Sequence, residues 1–165
     1  MIHVFLGSKS DLELVKASVR PIFNQLCQDL DIGPGYIRYH ICSAHRNSDE
    51  LAAFVKRIVD EADPQITIGV AGMAAALPGA LAGASKMQIP VIGVPLDEDG
   101  IDSCAYMPPG VPVLLAGVGK PGLKNATLAA IQIEAMRSEP IAAWLRDYMT
   151  KNTPPAEFDI DINAD

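Results

Sequence analysis

The stretch Ser43-Ala44-His45-Arg46 carries the side chains best suited to chemistry. It follows a β-like run, Tyr36 to Cys42, and precedes a helix-like run that starts near Asn47. Histidine exchanges protons near neutrality. Arginine offers a planar, permanently charged fork for phosphate or carboxylate. Together they are a proton carrier beside an anion clamp. Most isolated His–Arg pairs are solvated surface groups, so the pair gains meaning only from what surrounds it. Gly7-Ser8-Lys9-Ser10-Asp11 sets a glycine, two hydroxyls and a carboxylate at a predicted helix start, where free N–H groups favour phosphate. Ser8 and Ser10 would add donors and Asp11 would accept from a ribose hydroxyl. The plainer reading is that Ser10 only caps the helix, with Glu13 completing a capping box. Gly72 to Gly79 lets backbone approach a ligand closely, or serves tight helix–sheet packing. It lacks the G-x-G-x-x-G spacing of a dinucleotide site. Gly117-Val118-Gly119-Lys120 is not a P-loop, because the first glycine is missing and Pro121 follows the lysine.

These clusters need elements to position them. Ile2 to Leu6 is a short apolar run closed by Gly7, as in a buried parallel strand. Leu12, Val15, Val19, Ile22, Phe23, Leu26 and Leu30 recur at helical spacing, split or kinked at Pro21. Gly33-Pro34-Gly35 is a turn before the second strand. Asn47 caps the next helix, whose stripe is Leu51, Phe54, Val55, Ile58 and Val59. Ile66 to Ala71, Val91 to Val94 and Val111 to Val118 are further strands. Asp97 to Pro109 reads as a polar loop. Lys124 to Met136 and Pro140 to Met149 are helices. Alternation of this kind calls for a single α/β domain over residues 1–150, a parallel sheet in a three-layer αβα arrangement. Ligands of such sheets bind beyond the carboxyl ends of the strands, where all three clusters fall. Residues 151–165 are expected to form an acidic tail.

The chain has 165 residues, 49% hydrophobic but only 5% aromatic, with a net charge of −7. The core must therefore be built from small, closely packed side chains. The acidity argues against nucleic acid as a partner, which would require a basic stripe. Cys27, Cys42 and Cys104 are widely spaced and odd in number, so no disulfide framework or zinc signature emerges. Cys27 and Cys42 read as small core residues. No run is long and apolar enough for a membrane span, and the chain enters a strand pattern at once, so a cytoplasmic protein is expected. His3 and His40 lie in predicted strands and read as structural, which leaves His45 as the histidine at a strand–loop edge.

In this order and spacing the motifs resemble the PurE family of purine biosynthesis. The likeness rests on Gly7 to Asp11, Ser43 to Arg46, Ala71-Gly72 with Leu77-Pro78-Gly79, Pro90 to Pro95, Gly100 to Ser103 and Asn125, and spans about Val4 to Met136. The resemblance implies a flavodoxin-like protomer, a homo-octamer with sites at subunit junctions, an aminoimidazole ribonucleotide substrate, and no metal or organic cofactor. It implies that Ser8, Asp11 and Arg46 bind the ribonucleotide and that His45 is the proton carrier. Ser10, Ser43, Gly72 and Leu77 complete the candidate contacts. The reaction would form the 4-carboxy ribonucleotide, either by moving a carboxylate from the exocyclic nitrogen to C4 or by adding carbon dioxide to C4. The mutase pattern Ala-Gly-Gly-Ala-Ala-His-Leu-Pro-Gly stands here as Ala71-Gly72-Met73-Ala74-Ala75-Ala76-Leu77-Pro78-Gly79. Met73 replaces a glycine and Ala76 a histidine. The direct carboxylases also lack that histidine, while Leu77-Pro78-Gly79 and His45-Arg46 lean to the mutases. A related nickel-pincer cofactor family carries Ala-Gly-Met in this loop. The alternatives are therefore a PurE-like enzyme acting on another heterocyclic nucleotide, or a nucleotide-binding homologue without catalysis.

Overall fold

The computed structural model describes residues 1–156 apart from Pro34 and Ala62. Among these residues, five parallel strands form one sheet in the order β2-β1-β3-β4-β5: β1 Ile2–Leu6, β2 Ile37–Ile41, β3 Ile66–Ala71, β4 Val91–Pro95 and β5 Leu114–Leu115. Among the described residues, seven α-helices flank it: α1 Leu12–Ser18, α2 Arg20–Asp29, α3 Ser48–Val59, α4 Leu77–Ala84, α5 Ile101–Ala105, α6 Gly119–Ala135 and α7 Glu139–Asn152. No helix among the described residues is long and apolar enough to cross a membrane. The expected acidic tail lies, from residue 157 onward, outside the described residues.

The strands β1, β3 and β4 are buried along their whole length because helices cover both faces. Their side chains alternate between two cores. Ile2, Val4, Leu6, Ile68, Val70, Ile92 and Val94 meet α1, α2, α6 and α7 on one face. Phe5, Ala71 and Val91 meet α3, α4 and Cys104 of α5 on the other. The αβα layering is as the sequence pattern predicts, and the flavodoxin-like protomer is as the family resemblance implies. Pro21 marks the split between α1 and α2, sitting in the first turn of α2 where its missing N–H costs no helical bond.

Several local expectations change. The segment expected as a polar loop after β4 holds a 3-10 turn, Glu98–Gly100, and then α5. The fifth strand shrinks to two residues, and Pro112 just before it has no N–H to give to a ladder. The sixth helix starts five residues before Lys124. Cys27 and Cys42 are half-buried, and Cys104 is the buried cysteine. Cys27 lies on the open side of α2 and Cys42 lies just past the edge strand β2, so neither is enclosed by both layers.

Glycine decides two close approaches. Gly69 and Gly93 are cross-strand partners on β3 and β4, and Pro78 of α4 rests on both. A Cβ on Gly69 would stand 3.1 Å from the Pro78 Cα, and one on Gly93 would stand 3.2 Å from the Pro78 Cβ. At the start of α6, a Cβ on Gly122 would lie 2.3 Å from the carbonyl oxygen of Gly117, whose φ of +114° itself requires glycine.

Two polar networks are buried near the amino edge of the sheet. Glu134 accepts from the Tyr36 hydroxyl and the Arg137 guanidinium, and faces the Met1 ammonium at 3.5 Å. Burial opposes its charge, but these partners more than offset that and hold its carboxyl below the usual range. The other network is a histidine pair. The Gln65 amide nitrogen donates to Asp63 O and Glu61, so its oxygen accepts from His3 Nε2 at 2.9 Å. The His3 Nδ1 is then an acceptor and takes the His40 Nε2 proton at 3.0 Å, which requires the His3 ring to be neutral. Burial, and for His40 the neighbouring His3, push both pKa values down, that of His40 to about 4.

Two outcomes follow from these contacts. Gly122→Ala lowers stability in denaturant melts by about 1–3 kcal/mol through overpacking, opposite in sign to the ~1 kcal/mol gain that helix propensity alone would give. For the histidine pair, the unfolded chain takes up protons below the ordinary imidazole value of 6.5 while folded His40 resists until about 4. Stability therefore falls as pH drops through that window and is unaffected above it. Urea midpoints between pH 7 and 4 measure the slope, and His40→Gln reduces it.

Candidate functional site

Three loops leave the carboxyl ends of β1, β2 and β3 and line one cavity of about 560 Å³. Its walls are Gly7, Ser8, Ser10 and Asp11, then Ser43 to Arg46, then Ala71 to Leu77. All eight residues singled out from the sequence therefore lie at one place. Parallel pairing brings them together: β1 is flanked by β2 and β3, so their three carboxyl ends are adjacent.

The first wall is a self-capped turn. Just past β1, the Gly7 N–H still donates to Val70 O of β3 at 2.8 Å. Ser8 is then the cap of a 3-10 turn, Lys9–Asp11, that leads into α1. The Ser8 N–H donates to Asp11 Oδ2 at 2.9 Å and the Ser8 Oγ accepts from Ser10 N–H at 3.3 Å. The Ser10 hydroxyl lies 2.9 Å from the Ser8 Oγ and 3.1 Å from Asp11 Oδ1. The capping box is thus Ser8–Asp11, not Ser10–Glu13. Each Asp11 oxygen uses one lone pair inside the loop and keeps another for a ligand.

The second wall is a tight turn. Asn47 N–H donates to Ser43 O at 2.9 Å, and Arg46 N–H donates to the Ser43 Oγ at 3.3 Å. Ser43 thereby turns His45 and Arg46 outward, and both side chains are exposed at the cavity. Arg46 makes no ion pair among the described residues, leaving its fork available. Asn47 is the cap residue of α3 by position, but its side chain makes no capping bond.

The third wall is apolar and close. Ala71, Ala75 and Leu77 are buried, and Leu77 at 1% exposure belongs to the second core, so it closes the floor from within. Met73 and Ala75 have φ of 52° and 34°, a left-handed conformation that costs a side-chain-bearing residue roughly 1–2 kcal/mol. The Met73 side chain is 77% exposed. Asp97, which the sequence pattern did not single out, holds this wall from outside the cavity lining. Its Oδ2 accepts from Met73 N–H at 2.9 Å and its Oδ1 from Gly100 N–H at 3.2 Å. The available signal was an aspartate three residues before a glycine, the pattern of a capped turn. α4 starts beside this wall with no side-chain cap at Ala76, so its first N–H groups lie near the cavity.

The arrangement joins an anion clamp and hydroxyl-rich turn to a wall of small apolar groups, with an imidazole at the rim. Such a pocket suits a polar sugar phosphate at one end and a flat ring at the other.

The chain is similar to known proteins over nearly its whole length. A family model described as AIR carboxylase matches residues 1–154. A protein of Methanocaldococcus jannaschii named N5-carboxyaminoimidazole ribonucleotide mutase is 35% identical over 156 residues, covering 92% of this chain and 89% of that protein. The mutase of that name from Brucella melitensis is 38% identical over 158 residues, covering 92% and 91%. The crystal structure of Treponema denticola PurE superposes with a TM-score of 0.73 at 26% identity, covering 92% of this chain and 90% of the other. With its cavity walls built from the loops described above, the chain belongs to the AIR carboxylase family.

Proposed function

We propose that this protein is an isomerase of de novo purine biosynthesis that converts N5-carboxyaminoimidazole ribonucleotide to the 4-carboxy isomer. The observation that carries the reading is the convergence of His45, Arg46, Ser8 and Asp11 on one cavity faced by a wall of small residues. Arg46 and the hydroxyls of Ser8, Ser10 and Ser43 bind the ribose phosphate, and a free lone pair of Asp11 accepts from a sugar hydroxyl. The heterocycle lies against Gly72 to Ala76 above Leu77. The carbamate C–N bond breaks and releases carbon dioxide, its electron pair passes from the exocyclic nitrogen through the ring to C4, and C4 recaptures the carbon dioxide before it can leave, the nitrogen taking up a proton to end as the free amine. C4 then carries both a proton and a carboxylate, and His45 removes that proton to restore aromaticity. Exposure at the rim lets the imidazole exchange its proton afterwards.

A second reading, direct carboxylation of the unsubstituted amine, is favoured by one residue. Ala76 stands where the mutase pattern has a histidine. Purified protein given aminoimidazole ribonucleotide with bicarbonate, and separately the N-carboxylated form, separates the two by ultraviolet detection of product. The reading extends to a homo-octamer in the cytoplasm on the strength of the family likeness. The exposed Tyr39 and Ile41 on edge strand β2 supply apolar surface for subunit contact.

His45→Asn is expected to lower kcat by ~10²–10⁴ with unchanged thermal stability, because the side chain is exposed and holds no core contact. Undiminished turnover would remove the role given to it. Arg46→Ala is expected to raise KM by about tenfold or more, as loss of a charge-assisted bond does, with a smaller effect on kcat.

A further inference from the structure

Asp97 lies two residues beyond the end of β4 and outside the lining of the cavity. As a cap it needs only the bond to Gly100 N–H. Its second oxygen reaches 24 residues back in sequence, to Met73 N–H, on a loop that contributes little to either core at that point. The fit around it is tight. A Cβ on Gly72 would stand 2.9 Å from Asp97 Oδ2. A Cβ on Gly100 would stand 2.7 Å from the Ala75 Cβ and 2.8 Å from Met73 O. The capped turn therefore sits directly beneath the loop, and one carboxylate binds both. Met73 and Ala75 hold left-handed backbone that their side chains disfavour, and such conformations persist only where surrounding contacts over-determine them. The surface this loop serves is the apolar wall of the cavity.

We propose that Asp97 is a positioning residue that clamps Gly72 to Ala75 into the closed wall against which carbon dioxide is retained between its release and recapture. The inference rests on the reaction proposed above. Asp97 touches no reacting atom and acts through the Met73 amide. Without it the loop relaxes toward right-handed backbone and the wall opens. The N-carboxylated substrate then loses carbon dioxide to solvent, its nitrogen takes a proton, and the free amine is released instead of the 4-carboxy product.

The test compares wild type, Asp97→Ala, Asp97→Asn and Asp97→Ala with Met73→Gly. For each, kcat, KM, thermal stability and the fraction of N-carboxylated substrate released as free amine are measured, together with amide hydrogen exchange at Met73. Asp97→Ala is expected to stay folded, to lower kcat by about tenfold to a hundredfold with a smaller change in KM, and to raise the leaked fraction. Met73→Gly restores much of the loss, because glycine adopts a φ near 50° without strain. A loss of structure alone would not be repaired by a glycine. Asp97→Asn keeps one acceptor and falls between, so it decides the matter if the alanine variant does not fold. A kcat and leaked fraction within about twofold of wild type in Asp97→Asn and Asp97→Ala overturn the proposal. So does a loss that Met73→Gly leaves unrepaired. If wild type itself turns over neither aminoimidazole substrate, the proposed function fails, and exchange at Met73 still decides on the clamp: unchanged protection in the variants overturns it.

Discussion

The seat of α4 on the sheet is the contact on which the cavity depends. Gly69 and Gly93 stand side by side on β3 and β4 and present no side chain, so Pro78 rests directly on backbone. This close approach fixes where α4 begins and therefore where the loop from Gly72 to Ala76 must run. Any side chain at either glycine would lift the helix and move the floor that Leu77 closes. The Ala- and Gly-rich composition of this region reflects that geometry. Helix–sheet packing and close approach to a ligand, which look like competing readings of the same residues, are here one requirement.

The polar residues of the site are used twice. Ser8 and Asp11 satisfy each other within their turn while facing the cavity, and Ser43 closes the turn that presents His45 and Arg46. Each side chain is thereby held in one orientation before a ligand arrives, which lowers the ordering that binding requires. The third wall has no such polar scaffold of its own. Its strained backbone is held from outside, by a carboxylate on the loop after the neighbouring strand.

At the other edge of the sheet the buried charges and the histidine pair serve the fold. Glu134 joins α6 to Tyr36 and to the chain start, and His3 ties β1 to β2 and to the turn before β3. These contacts set the strands in register at the amino edge, while the chemistry gathers at the carboxyl edge. The two functions of the sheet are separated by its full length.

Sequence alone determined what depends on short-range pattern. Strand runs closed by glycine, the helix break at Pro21 and the three loops at strand ends all follow from periodicity and punctuation over a few residues. The grouping of Ser8, Ser10, Asp11, Ser43, His45, Arg46, Gly72 and Leu77 followed once parallel order was inferred from alternation. Tertiary structure decided the rest. Both Ser8–Asp11 and Ser10–Glu13 satisfy the spacing of a capping box, and the structure selects the first, with Ser8 in extended backbone at the start of the turn. The fifth strand is only two residues long, with Pro112, which has no N–H to give to a ladder, just before it. The Cys27 and Cys42 surroundings are apolar in sequence but open in space, since each lies at the margin of a layer. Asp97 escaped notice because its partner is 24 residues away. A hydrogen bond at that separation leaves no periodic trace in the chain, and it exists only after β3 and β4 have paired.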